Sequence, residues 1–362
     1  MPILQNRMMT TTRLAIVALM CTTSLCLDAQ TTAWQSRLPD DAYVAALSIP
    51  GAHDAATGSG WEEGNEELGD LYARTQDLTI SQLWNAGVRA FDLRPSMRED
   101  SMNINHGIMP TNTSMERVLA LLTDSLKAHP SEFVIIHMLH ESDGDVVDDD
   151  YSQRINQLMK RADLHPYFVG FRPDLKVADM RGKILILSRN NIQGQFTGGI
   201  FRNWTGAADW ERQTRGTIEG SDGRTAKLYM QDYSDTHRQG GIETKQKAIT
   251  RMLDFTSHHT AANASDIVWV LNFMSAYSKV ESIFGFEIST ANGYRDNAMH
   301  THATMLQYLQ NHEQCTTGIV MMDFAGVDKS NDIDVRGRQL VTAIIRSNAF
   351  ADKQKTSSTH RN

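Results

Sequence analysis

Short, nearly continuous apolar runs alternate along the chain with longer segments whose apolar residues recur at helical spacing. The runs cover residues 44–49, 88–94, 102–106, 133–139, 183–189, 227–231, 267–273 and 318–322. Helix-like spacing covers 78–86, 152–162, 243–257, 297–311 and 335–347. Thr113-Ser-Met-Glu116 has the form of a capping box; it opens a further helix with Val118, Leu119, Leu122 and Leu126 on one face and Pro130 beyond its end. Stretches 190–225 and 274–292 predict long loops. Pro50-Gly51 is expected to stop the first strand, because the pair interrupts a ladder.

About eight short strands, most of them separated by helices, have the count and alternation of a (β/α)8 barrel. Runs 133–139, 184–187 and 267–273 lack polar alternation, as parallel strands buried on both faces do. The prediction is therefore α/β, a single-domain TIM barrel. A doubly wound open sheet is the alternative, and it would keep the first and last strands apart. His53, Asp92, Arg94, His106, Glu141, Arg189, Asp232 and Asp323 each fall at or just beyond the C-terminal end of a run. In a parallel barrel those ends converge on one rim, where such folds carry their sites.

Residues 1–29 stand apart from this pattern. Arg7 and Arg13 precede a mainly apolar stretch, 14–27, and the small residue Ala29 precedes Gln30. That is the form of a secretory signal peptide, too short and interrupted to span a bilayer. Cys21 and Cys26 lie inside it, so cleavage after Ala29 leaves Cys315 alone and no intrachain disulfide. An exported protein without disulfides fits the periplasm or outer surface of a bacterium, or secretion. Removing 29 of 362 residues leaves 333 and takes away Arg7, Arg13 and Asp28, which moves the net charge from −8 to −9. This balance argues against nucleic acid and against long-range attraction to an anionic membrane. Residues 30–351 are expected to form the barrel, and the polar segment 352–362 a disordered tail. The acidic stretch 143–150 lacks the ligand spacing and glycine of a calcium loop and is expected to be a solvated surface loop.

Two histidines, several carboxylates and an arginine on one rim suit phosphodiester cleavage. One neutral imidazole takes a proton from the attacking hydroxyl, and a second, protonated, gives one to the leaving oxygen. Arg94 suits the phosphoryl oxygens. A carboxylate such as Asp323 behind His53 would fix its tautomer and stabilise the imidazolium.

The blocks Ser48-Ile-Pro-Gly-Ala-His-Asp54, Gly87-Val-Arg-Ala-Phe-Asp-Leu-Arg94, His106-Gly107, Pro130-Ser-Glu-Phe-Val-Ile-Ile136 and Arg181-Gly-Lys-Ile-Leu-Ile-Leu-Ser-Arg189 follow one another in this order. Together they resemble the bacterial phosphatidylinositol-specific phospholipase C family, over residues 38 to 347. The resemblance implies a distorted (β/α)8 barrel that cleaves inositol phospholipids in two steps through a cyclic 1,2-phosphate. It implies that His53 is the base toward the inositol 2-hydroxyl, that His106 with Asp54 is the acid toward the lipid alcohol, that Asp323 orients His53, and that Arg94 binds phosphate. Arg189 and Asp232 would hydrogen-bond the ring hydroxyls, and Tyr233 would supply a stacking face. Asp92 is open between a supporting hydrogen bond to Arg94 and a direct role, Glu141 is a supporting residue, and a rim ion pair is the alternative reading of Arg189 and Asp232. Calcium-dependent relatives carry a carboxylate where Arg94 stands, so no metal or other cofactor is expected. A monomer acting at a membrane surface is expected.

Three departures concern the headgroup pocket. Leu139-His140 stands where the family has a lysine, which leaves His140 as the candidate contact. Tyr233 follows Asp232 directly, one residue closer than the family's aromatic, and Pro95 stands where a glycine is common. His258, His259, His300 and His302 are expected to be solvated or capping residues. Trp61, Phe201, Trp204 and the segment 283–286 fall in rim-side loops, where packing is the leading reading and insertion into a lipid interface the alternative. Two other functions compete. One is a metal-dependent phosphodiesterase for glycerophosphodiesters or sphingolipids, against which Arg94 argues. The other is a non-catalytic barrel that binds inositol lipids or glycans, against which His53, His106 and Asp323 argue.

Overall fold

The computed structural model describes residues 31–350, apart from 99–100, 142–147, 205–214, 238–239, 259–266, 282–286, 313–314 and 349. The signal-like segment 1–29, the tail 352–362, His259, the segment 283–286 and most of the acidic stretch lie outside the described residues.

In chain order, a 3₁₀ turn at Val44–Ala46 leads into β1 (Ser48–Ala52). Helices α1 (Glu66–Tyr72) and α2 (Ile80–Asn85) follow, then β2 (Ala90–Leu93). A hairpin sheet comes next, β3 (Pro95–Arg98), β4 (Ser101–His106) and β5 (Met109–Ser114), and then α3 (Met115–Ala128). The chain continues through β6 (Val134–Met138), α4 (Asp148–Lys160), α5 (Val177–Met180), β7 (Ile184–Ser188), β8 (Gly199–Arg202), β9 (Arg215–Gly220) and β10 (Thr225–Gln231). The last elements are α6 (Gly241–His258), β11 (Val268–Phe273), β12 (Lys279–Glu281), β13 (Glu287–Ser289), α7 (Ala291–Asn311), β14 (Gly318–Met322) and α8 (Gly337–Arg346).

Among the described residues, nine strands close a barrel in the order β1-β14-β11-β10-β9-β8-β7-β6-β2. All pair in parallel except β9, which is antiparallel to both β8 and β10. The barrel is thus a distorted (β/α)8 fold. Strands β6, β7, β11 and β14 are buried along their whole length, because the barrel interior covers one face and the helices the other. No helix among the described residues is long and apolar enough to cross a membrane.

Several elements differ from the sequence-based expectations. β1 begins at Ser48 and runs through Pro50-Gly51 instead of stopping there. Pro50 faces β2, whose pairing with β1 starts only at Gly51↔Ala90, so its missing N–H forfeits no ladder bond, and its carbonyl accepts from Arg89 N at 2.9 Å. Run 102–106 is not a barrel strand. It is β4 of the antiparallel sheet β3-β4-β5, with Met102 and Ile104 buried and the residues between them partly exposed, the alternation of a one-sided sheet. The expected loop 190–225 contains β8 and β9, the latter joined to β10 through Asp222-Gly223, with Gly223 at φ 78°. The expected loop 274–292 contains the β12-β13 hairpin and the first turn of α7. Ser114, not Thr113, caps α3, its hydroxyl accepting from Arg117 N.

The end of the barrel away from the strand C-termini is closed by a buried ion pair. Arg89 Nε donates to Glu132 at 3.0 Å, and Arg89 also donates to the Trp84 and Val88 carbonyls. Glu132 accepts from the backbone N–H groups of Gln35 and Ser36, which ties the 3₁₀ turn Trp34–Arg37 to the barrel. Both charges are thereby hydrogen-bonded beyond their mutual contact, the condition under which a buried pair persists.

Candidate active site

The register of the barrel assembles the site. Ala52 pairs with Met322 across β1 and β14, so the next residues on each strand, His53 and Asp323, emerge side by side. His53 Nδ1 lies 2.8 Å from Asp323 Oδ1. Buried Gln76 clamps this junction: its amide donates to the carbonyls of His53 (2.7 Å) and Met322 (2.9 Å) and accepts from Ala325 N. Two residues of the junction, Asp54 (φ 41°) and Phe324 (φ 49°), hold left-handed backbone conformations that side chains other than glycine rarely adopt.

Arg94, one residue past β2, reaches into the same space. Its Nη2 is 2.9 Å from His53 Nε2, its Nε 2.7 Å from Asp54 Oδ1, and its Nη2 3.4 Å from Asp92 Oδ2. A guanidinium only donates, so when His53 is neutral this contact leaves its one ring proton on Nδ1, toward Asp323. His106 arrives from the β4-β5 hairpin. Its Nδ1 donates to the Ala73 carbonyl at 2.6 Å, leaving Nε2 facing Asp54 Oδ2 at 3.5 Å. His53 Nε2 is 3.3 Å from that same oxygen. Two imidazoles thus flank one carboxylate oxygen, and the Arg94 guanidinium lies against the other.

Burial works against a charge on His53, but the carboxylates of Asp54 and Asp323, and the Asp323 hydrogen bond, outweigh it and raise its pKa to about 9. Burial raises Asp323 and Glu141. Asp92 goes the other way: against its burial, Arg94, His137 and His53 hold it well below the usual carboxylate range. Burial also opposes the charge on Arg94, yet Asp54, Asp92 and Glu141 keep it firmly protonated.

Glu141 accepts from Gly107 N at 3.1 Å and lies 3.8 Å from Arg94, which joins the His106 hairpin to the arginine. Arg189 and Asp232 form the second wall. They approach to 4.0 Å, and both engage Trp204: its Nε1 donates to Asp232 Oδ2 at 3.2 Å, and the Arg189 guanidinium lies 4.3 Å from the centre of its ring. Tyr233 is 3% exposed, whereas Trp204 is partly exposed beside Arg189 and Asp232. His140 is turned away. It is buried against Tyr151, with ring centres 3.8 Å apart, and its backbone N–H is held by Asn190. Tyr233 and His140, the two further residues expected to contact a ligand, are both buried. His302 is not solvated either; it is fully buried, with Nδ1 2.6 Å from the Val335 carbonyl.

The sequence reading passed over three buried polar residues around the site. His137, inside the apolar run of β6, lies 2.7 Å from Asp92. Gln76 precedes α2, and Lys245 of α6 donates to Gln231 at 3.1 Å, its pKa lowered to about 7 by burial. The available signal was a histidine within an otherwise apolar strand.

No protein-family model matches the chain. In fold, the chain is similar to phosphatidylinositol-specific phospholipases C of known structure. It superposes on an engineered form of that enzyme from Staphylococcus aureus with a TM-score of 0.69, at 20% identity, over 90% of this chain and 99% of the other. It superposes on the Listeria monocytogenes enzyme with a TM-score of 0.63, at 26% identity, over 88% and 99%. In sequence, it is 34% identical over 168 residues to a 1-phosphatidylinositol phosphodiesterase of L. monocytogenes, a match spanning 44% of this chain and 49% of that protein. It is 22% identical over 297 residues to the S. aureus (strain Newman) protein of the same name, over 81% and 88%. The resemblance to the bacterial phosphatidylinositol-specific phospholipase C family read from the motif blocks is thus borne out in both sequence and fold.

Proposed function

We propose that this protein is a phosphatidylinositol-specific phospholipase C. The inositol 2-hydroxyl attacks the adjacent phosphorus, and the products are inositol 1,2-cyclic phosphate and the lipid alcohol. The observation that carries this reading is the convergence of His53 Nε2 and His106 Nε2 on Asp54 Oδ2, with Arg94 within 2.9 Å of His53. His53, backed by Asp323, takes the hydroxyl proton on Nε2 as the oxygen–phosphorus bond forms. His106, with Asp54, returns a proton to the departing lipid oxygen. Arg94 exchanges its contact with His53 for the phosphoryl oxygens as negative charge builds on them. Arg189, Asp232 and Trp204 receive the inositol ring. The bond broken lies on the lipid side, so diacylglycerol and ceramide are equivalent leaving groups for this chemistry.

A metal-assisted mechanism has one observation in its favour. His53, Asp54 and Asp92 offer ligand atoms within 4.8 Å of one another. The Arg94 guanidinium already contacts all three of these residues. A fixed cation there repels a divalent ion and supplies the same charge, which favours metal-independent catalysis.

Membrane contact is supported by exposed apolar residues near His106: Ile108 at the tip of the β4-β5 hairpin is 77% exposed, and Leu68 and Leu71 of α1 are 51% and 47% exposed. A related S. aureus structure concerns modulation of that enzyme's membrane binding. Export, suggested by residues 1–29, belongs to the same reading, and fractionation of cells producing the full chain tests it. Incubation of purified protein with phosphatidylinositol vesicles in EDTA tests the activity. Release of the lipid alcohol, absent with His53→Ala, is expected; release only after calcium is added would favour the metal-assisted mechanism.

A further inference from the structure

Parallel pairing of β2 with β6 sets Asp92 directly opposite His137. His137 is 2% exposed, and its ring packs among Phe201, Trp204 and Phe273, with centroids 5.7, 5.4 and 5.9 Å away. Its Nδ1 lies 2.7 Å from Asp92 Oδ1, and the carboxylate can only accept, so the imidazole donates. The other oxygen of Asp92 is used twice. It accepts from the backbone N–H of Asp54 at 3.1 Å and from Arg94 Nη2 at 3.4 Å. The first of these bonds holds a residue whose φ is 41°, a conformation that persists only where its surroundings fix it.

We propose that His137 is a positioning residue for the reaction: it orients the Asp92 carboxylate, and through it the left-handed backbone of Asp54 and the guanidinium of Arg94. The inference rests on the function proposed above. Without His137, Asp92 Oδ1 is a buried charged oxygen with no donor, a costly arrangement that the side chain relieves by turning both oxygens toward Arg94. Arg94 then leaves His53, and the Asp54 backbone loses its anchor. The ring of His137 also rests on Trp204, which carries Arg189 and Asp232, so one residue braces both the reacting cluster and the headgroup wall.

Three substitutions and one double variant test this. Leucine at 137 removes the donor, asparagine restores one near the Nδ1 position, and Asp92→Asn breaks the relay one step later. His137→Leu is expected to lower kcat on phosphatidylinositol by about tenfold or more with KM changed less than about threefold, and His137→Asn to recover most of the loss. Adding His137→Leu to Asp92→Asn is expected to cost less than about twofold further, because both act through one carboxylate. Unchanged kcat in His137→Leu, multiplying effects in the double variant, or no recovery in a folded His137→Asn would overturn the proposal. If His137→Leu does not fold, His137→Gln, whose amide reaches the Nε2 position, replaces it in the comparison with asparagine. A readout independent of lipid is the NMR titration of the His53 imidazole. With Arg94, whose charge lowers it, withdrawn from His53, it is expected to rise in His137→Leu and to hold in His137→Asn; no movement in His137→Leu would overturn the proposal. Should the parent protein leave phosphatidylinositol intact, the functional reading fails, and this titration alone decides the role of His137.

Discussion

His53 and Asp323 are 270 residues apart in the chain and 2.8 Å apart in space, each one position beyond a residue that pairs across β1 and β14. Closure of the barrel, not local sequence, makes this dyad. Together with the Asp54 carboxylate, Asp323 raises the His53 pKa to about 9 despite burial. Asp323→Asn keeps the shape and removes the charge. Turnover is expected to fall by about a hundredfold or more, and the His53 titration to move down toward its ordinary value of 6.5. The folded state binds this proton more tightly than the unfolded one. Its contribution to stability is therefore complete below about pH 6.5 and lost as pH rises through about 9. Thermal melts across that window should show the loss in the parent and a smaller one in Asp323→Asn.

Arg94 touches His53, Asp54 and Asp92 together, which a flexible ammonium cannot reproduce. Arg94→Lys is expected to lower kcat by about a hundredfold, the cost of losing one fixed donor to a developing oxyanion. A loss confined to KM would show instead that Arg94 only binds substrate.

Ile108, Leu68 and Leu71 are exposed apolar residues beside the His106 hairpin. Replacing all three by serine is expected to reduce activity on vesicles by about a hundredfold or more while sparing a short-chain, monomeric substrate, since each side chain contributes on the order of 1.5–3 kcal/mol when fully buried in an apolar phase. Equal losses on both substrates would place the effect in the active site.

His302 shows the opposite linkage to His53. Burial lowers its pKa to about 4, against the help of its bond to Val335. The unfolded state binds the extra proton, so stability should fall as pH drops from about 6.5 toward 4 and should not depend on this group above that window. His302→Asn, which can still donate to Val335, should remove that part of the slope in acid melts.

The strand ends were legible in the sequence because parallel buried strands are continuous apolar runs, and a titratable residue just beyond such a run is conspicuous. His53, Arg94, Arg189, Asp232 and Asp323 were found that way. The same cue misled at 102–106, where Met102 and Ile104 suggested a barrel strand although the intervening polar residues belong to a one-sided antiparallel sheet. It was silent for β8 and β9, whose short runs are broken by glycines 199, 216 and 220. At Gly199 and Gly216 a side chain would meet Leu187 or the Arg202 carbonyl within 3 Å, so close packing and not apolar pattern decides those residues. His137 was hidden for a different reason. Its partner Asp92 lies on another strand, and only the register between β2 and β6 brings them together.

The most direct test of the account is phosphorus NMR of the purified protein acting on phosphatidylinositol in EDTA. The account predicts that inositol 1,2-cyclic phosphate appears as the first phosphorus product, before any monoester, and that His53→Ala and His106→Ala abolish it. A monoester formed without the cyclic species, or a reaction that starts only when calcium is supplied, would contradict attack by the ring hydroxyl under the control of His53, His106 and Arg94.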